Sequence, residues 1–115
     1  MNLDNGDRNY LNDIVERINR IETYTKSGRE AFLESELLQD AIIRNFEVMG
    51  EATKRLSTEL RQTYPNIPWR KIAGFRDVLI HDYLDVEVTE IWNTIVNSLP
   101  TFKEQLLKIL HGNSN

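Results

Sequence analysis

The sequence predicts an all-α protein, an up-and-down bundle of four or five helices. Three observations lead there. Apolar residues recur at spacings of three and four along most of the 115-residue chain, as they do in helices with one buried face. No stretch alternates with period two for long enough to make a strand. Gly28, Tyr64-Pro65 and Pro100 punctuate the pattern where helices are expected to stop or bend. A length of 115 residues fits one domain spanning the chain. With 40% hydrophobic and 28% charged residues, the composition suits a soluble globular protein and argues against disorder.

Tyr10, Leu11, Ile14, Val15, Ile18 and Ile21 form the apolar stripe of a first helix, expected from about Asp7 to Lys26. Ser27-Gly28 ends it, and Ser27-Gly-Arg-Glu30 reads as a capping box for the next helix. From Glu30 to about Thr63 runs one long pattern carrying Leu33, Leu37, Ala41, Ile42, Phe46, Met49, Ala52, Leu56 and Leu60. Its length predicts a break near Ser35 or a bend near Gly50. Pro68 suits the first turn of a third helix whose face is Trp69, Ile72, Phe75, Leu79 and Tyr83. Asp85 is the expected N-cap of a fourth, with Val88, Ile91, Trp92 and Ile95 on its stripe. Pro100 kinks or splits that helix before Phe102, Leu106, Ile109 and Leu110. A long second helix overhanging a small bundle would expose apolar surface for a second copy to cover, so a homodimer is expected.

The 14 Lys and Arg against 18 Asp and Glu leave a net charge of −4, which excludes a generally basic nucleic-acid coat. The charge is unevenly spread. Between Lys54 and Arg76 the bases Lys54, Arg55, Arg61, Arg70, Lys71 and Arg76 face Glu59 alone. The absence of cysteine excludes disulfides and thiolate metal sites. No apolar run approaches the ~20 residues of a membrane span, and the polar start of the chain is unlike a signal peptide. The expected address is the cytoplasm.

The segment Trp69 to Tyr83 concentrates Arg70, Lys71, Arg76, Asp77, His81, Asp82 and Tyr83. An imidazole can both take and give a proton near neutral pH, and Arg76 offers a planar, permanently charged fork for a phosphate. At 100° per residue, Arg76 and His81 lie about 140° apart on a straight helix, whereas Arg76 and Tyr83 lie about 20° apart. Asp77 and His81 are four residues apart and can touch, so Asp77 is expected to orient the imidazole and favour its charged form. Uniting Arg76 and His81 over one phosphate needs the helix to end near His81, or a second chain. Spacing alone leaves a structural reading open, in which cations at a helix C-terminus answer its dipole. No metal site is read from the sequence, because His81 with Asp77 and Asp82 makes too short a cluster.

Arg76-Asp-Val-Leu-Ile-His81-Asp-Tyr83 resembles the Arg-x4-His-x-Tyr motif of the HepT family, the toxin branch of the HEPN superfamily of small α-helical ribonucleases. Pro68 to Gly74 is similar to the segment preceding that motif, and Ile43 to Ala52 to the second-helix signature. The likeness runs from about Leu11 to Leu110. It implies a homodimeric HEPN-like bundle with a cofactor-free, metal-independent RNA-cleaving site at the dimer interface. It also implies a cognate minimal nucleotidyltransferase antitoxin, MntA, which transfers AMP from ATP to the motif tyrosine, here Tyr83.

The residue chemistry agrees. Without a metal, RNA cleavage can use the substrate's own 2′-hydroxyl, given a base, an acid and a cation for the phosphate. Two copies of the third helix would supply two His81 imidazoles and two Arg76 forks. Other residues have two readings. Asn45 is a core amide satisfied by backbone or a group lining the site. Tyr83 without the resemblance is a half-buried aromatic with its hydroxyl in water. Arg44, Val48, Glu51 and Arg55 read as a salt-bridge stripe with a phosphate contact from Arg44 as the lesser reading, and Arg70 and Lys71 as solvated surface or as clamps on flanking RNA phosphates. Trp69 and Trp92 read as core anchors. The alternative to an enzyme is a non-catalytic helical partner that presents nucleotide or substrate to a nucleotidyltransferase; a third reading is a dimerisation scaffold.

Overall fold

The computed structural model describes residues 3–81 and 86–112. Among the described residues it has seven helices and no strand: α1 (Asn5–Tyr24), α2 (Arg29–Glu34), α3 (Glu36–Lys54), α4 (Thr58–Thr63), α5 (Trp69–His81), α6 (Val88–Asn97) and α7 (Leu99–Gly112). The all-α class is as the periodicity predicts. The count exceeds four or five because the long patterns are cut by polar caps.

Asp4 opens α1, its carboxylate accepting the N–H groups of Gly6 and Asp7 at 2.9 and 3.2 Å. The helix stops at Tyr24, and the chain reverses through Gly28 at φ 93°, a left-handed conformation that favours glycine. Gly28 itself is the N-cap of α2, with no side-chain cap bond, so the capping box expected from Ser27 does not form. Ser35 breaks the long pattern as predicted. It turns extended at φ −117°, and its hydroxyl accepts the Leu38 N–H to start α3. The second interruption falls after Lys54, where Ser57 caps α4, and Gly50 stays inside α3. Pro68 sits one residue before α5, its carbonyl accepting the Ile72 N–H at 3.2 Å. The N-cap of α6 is Glu87; Asp85, expected there, lies outside the described residues. Pro100 splits the last pattern, standing in the first turn of α7.

The central element is α3, which packs on α1 along one side and α5 along the other; α7 closes against α1, and α6 bridges α7 and α2. Most of the predicted stripe residues meet in one core containing Leu11, Ile14, Ile18, Phe46, Met49, Leu79, Phe102 and Leu106; Leu37, expected on the second stripe, is instead exposed, and Tyr83 lies outside the described residues. Each such buried side chain contributes about 1.5–3 kcal/mol. Trp69 stacks edge-on against Phe102 at 6.0 Å and donates its indole N–H to the Tyr64 carbonyl at 3.0 Å, tying the α4–α5 turn to α7. Trp92 packs at 5.6 Å from Phe32. Trp69 is a core anchor, and Trp92 is partly buried against the core. Among the described residues the exposed large apolar side chains are spread over four helices, Tyr24 on α1, Leu37 on α3, Val78 and Ile80 on α5 and Val96 on α6, and do not form the overhang of a single long helix. Among the described residues, no helix is long and apolar enough to cross a membrane.

Candidate active site

The site is built where α5 crosses α3. Phe46 meets Phe75 edge-on at 5.1 Å. One turn further along α3, Gly50 leaves the backbone bare, and the Arg76 stem lies directly on it. A Cβ at position 50 would stand 2.3 Å from the Cβ of Arg76. A mid-helix glycine costs ~1 kcal/mol relative to alanine, and here it admits the arginine.

The guanidinium is held between two carboxylates. Arg76 Nη2 lies 3.2 Å from Glu51 Oε2 and Nη1 lies 3.1 Å from Asp77 Oδ1. Arg76 Nε is buried without a hydrogen-bond partner. Glu51 also pairs with Arg55 at 3.2 Å, one turn along α3. The Arg55 guanidinium is held above the ordinary arginine range, first by its hydrogen bond with Tyr10 and then by Glu51. Lys54 Nζ donates to Asp77 Oδ1 at 2.5 Å. That bond, followed by the one from Arg76, holds the Asp77 carboxyl below the usual carboxylate range.

Asp77 is therefore spent on Lys54 and Arg76. The orienting contact with His81 that its spacing allows is not made, because the cross-helix lysine and the neighbouring arginine take the carboxylate. His81 is exposed at the end of α5 and forms no ion pair with another described residue. The helix is continuous from Arg76 to His81, so the two groups keep their ~140° separation within one chain. Ile80, four residues from Arg76, is on the arginine's side. Tyr83 and Asp82 lie outside the described residues.

Beside Arg76 opens a cleft of about 290 Å³ lined by Tyr10, Asp13, Arg44, Glu47, Val48, Glu51, Ala52, Arg55, Arg76 and Ile80. The stripe Arg44, Val48, Glu51 and Arg55 is thus one wall of it. Asn45 turns elsewhere: it is buried, donates to the Ala41 carbonyl at 2.8 Å and accepts from Arg17 at 3.3 Å. Its amide is satisfied by backbone and by α1, the core reading of the two. Gly50 and Lys54 are the site residues that sequence reasoning missed. A glycine in mid-helix is the available signal for the first; nothing local marks the second.

A family model described as Ribonuclease HepT-like matches residues 14–109. The chain belongs to the HepT-like ribonuclease family. Among curated relatives, "Probable ribonuclease HepT" of Thermococcus cleftensis is 39% identical over 103 residues, covering 89% of this chain and 94% of the relative. "Putative RNase MJ1216" of Methanocaldococcus jannaschii is 36% identical over 102 residues, 88% of this chain and 84% of the relative. A third, "Gamma-glutamylcyclotransferase and putative RNase MJ0434" of the same organism, is 45% identical over 102 residues, which is 88% of this chain; the HepT-like chain spans about half (46%) of that relative. No solved structure gives a significant match. For this HepT-like protein, Arg76, His81 and Tyr83 fall within the matched span, as do Glu51 and Gly50.

Proposed function

We propose that this protein is a metal-independent endoribonuclease, the toxin of a toxin–antitoxin pair, with a composite site made by two copies of α5. The observation that carries the reading is the Arg76-x4-His81 motif of a HepT-like ribonuclease, its arginine seated beside an open cleft. In the reaction, one His81 imidazole takes the proton of the RNA 2′-hydroxyl as its oxygen attacks the adjacent phosphorus. The bond to the 5′-oxygen breaks, and the His81 imidazolium of the second copy returns a proton to that leaving oxygen. Arg76 steadies the charge that builds on the phosphate oxygens, exchanging its Glu51 or Asp77 contact for the substrate. The products are a 2′,3′-cyclic phosphate and a 5′-hydroxyl, and DNA, lacking the 2′-hydroxyl, is not a substrate.

Arg70, Lys71 and Arg44 are exposed and serve to hold RNA phosphates flanking the scissile one. Asn45 acts indirectly, bracing α3 against α1 through Arg17. Tyr83, two residues beyond His81, is the acceptor of AMP from an MntA-type nucleotidyltransferase, and the added bulk and charge exclude RNA from the site.

Incubation of purified wild type and His81→Ala with RNA tests the reading. Wild type should yield 5′-hydroxyl ends and the variant no cleavage above background. Equal activity of the two, or 3′-hydroxyl products, rejects the mechanism; inactivity of the wild type leaves the non-catalytic nucleotidyltransferase partner. In the same assay with ATP and the nucleotidyltransferase, Tyr83→Phe should stay active, and silencing of that variant would reject Tyr83 as the acceptor.

A further inference from the structure

The basic middle of the sequence divides in three dimensions. Lys54, Arg55 and Arg76 are consumed by Asp77 and Glu51. The cleft beside Arg76 is lined by three arginines and three carboxylates, so its formal charges balance. Arg61, Arg70 and Lys71 are different. They line a second cleft, between α4 and the start of α5, whose walls include no acidic residue. None of the three is in a salt bridge with a described residue, whereas Arg20, Arg29, Lys103 and Lys108 all are. Arg70 and Lys71 also occupy the first turn of α5, the end at which the helix dipole disfavours cations. The cluster thus stands at a helix end that does not favour it, and no carboxylate lining the cleft offsets its charge.

We infer that this α4–α5 cleft is an exosite for the phosphate backbone of single-stranded RNA, set apart from the reacting phosphate. The inference rests on the ribonuclease reading for the identity of the polyanion. Arg70 and His81 are eleven residues apart on one continuous helix, which places them about 20° from alignment and ~16 Å apart along its axis. A strand anchored at Arg61, Arg70 and Lys71 can therefore run along α5 to the histidine, a reach of roughly five stacked nucleotides. The exosite adds to the affinity of the charge-balanced cleft, and it makes efficient cleavage depend on the length of RNA on that side.

The test uses a fluorescent 2′-O-methyl oligouridylate, which cannot be cleaved, long enough to span from Arg70 to His81. Its binding is followed against salt for the wild-type protein, for the combined variant Arg61→Gln, Arg70→Gln, Lys71→Gln, and for a control lacking Arg20, Arg29 and Lys108 charges. Each single-strand phosphate contact contributes about 0.7 to the slope of log affinity on log salt. The exosite variant should lose about 2 from that slope and bind about 100-fold more weakly near 0.1 M salt, while the control follows the wild type. Equal affinity and slope in the exosite variant and the wild type would overturn the proposal, as would an equal loss in the control. Wild-type protein that binds with the expected slope yet leaves ordinary RNA intact supports the exosite and rejects the ribonuclease reading alone.

Discussion

At position 50 two tendencies oppose each other, and their sum has a measurable sign. Helix propensity alone favours alanine over glycine by about 1 kcal/mol in the interior of α3. The packing disfavours it, because the new Cβ would fall 2.3 Å from Arg76 Cβ, closer than two non-bonded carbons approach. The contact is between stem atoms next to backbone, so neither helix can relieve it by turning a flexible side-chain tip aside. Gly50→Ala is expected to force α3 and α5 apart and to lower stability by about 1–3 kcal/mol, the usual cost of overpacking. It also displaces the guanidinium from Glu51, so RNA cleavage should fall with it. Thermal unfolding checks the sign: a higher melting temperature for Gly50→Ala would mean that propensity dominates and that the helices do not approach this closely.

The junction of α1 with α4 shows how an element boundary is held from a distance in sequence. Asp7 is buried, and its carboxylate accepts both the N–H of Ser57 at 2.8 Å and the Ser57 hydroxyl at 2.6 Å. The same hydroxyl accepts the Leu60 N–H and so caps α4. Asp7→Ala removes both acceptors and leaves the cap donor unpaired, a loss of about 1–3 kcal/mol. Urea unfolding should show it, with Asp7→Asn, which keeps one acceptor, falling between. An unchanged midpoint for Asp7→Ala would mean that this bond does not hold α4. The same junction explains what was legible in the sequence. Helix faces such as Leu11, Ile14 and Ile18 are readable because burial repeats locally with the helical turn. The break after Lys54 is not, because it is fixed by Ser57 and an aspartate fifty residues earlier. The site divides in the same way. Arg76 and His81 stand out as a short motif, and the Glu51–Arg55 pair follows from helical spacing. The bonds from Glu51 to Arg76 and from Lys54 to Asp77 cross between helices, and no local pattern announces them. Helical spacing therefore points Asp77 to its own helix neighbour His81, whereas its stronger partner, Lys54, lies on α3.

For the whole molecule, the continuity of α5 is the decisive constraint. Arg76 faces the α3 cleft and His81 the solvent, about 140° away on the same rigid helix. Within one chain the two could meet over one phosphate only around the helix end at His81; the proposed chemistry instead uses two-fold pairing, in which one copy's histidine approaches the other's arginine. The surface beside them has the character such pairing needs. Val78 and Ile80 are 43% and 41% exposed. Val78 lies about 60° around the helix from His81, and Ile80 about 40° from Arg76. Sedimentation should accordingly give a mass of twice 13.5 kDa. Val78→Glu should shift the mass toward one chain while keeping the helical circular dichroism, since the side chain is uncovered in the isolated chain. Its cleavage rate should drop by roughly tenfold or more, a loss of at least ~1.4 kcal/mol in transition-state stabilisation. A Val78→Glu monomer that cleaves RNA as fast as the wild type would show that Arg76 and His81 act within a single chain, and would reject the composite site.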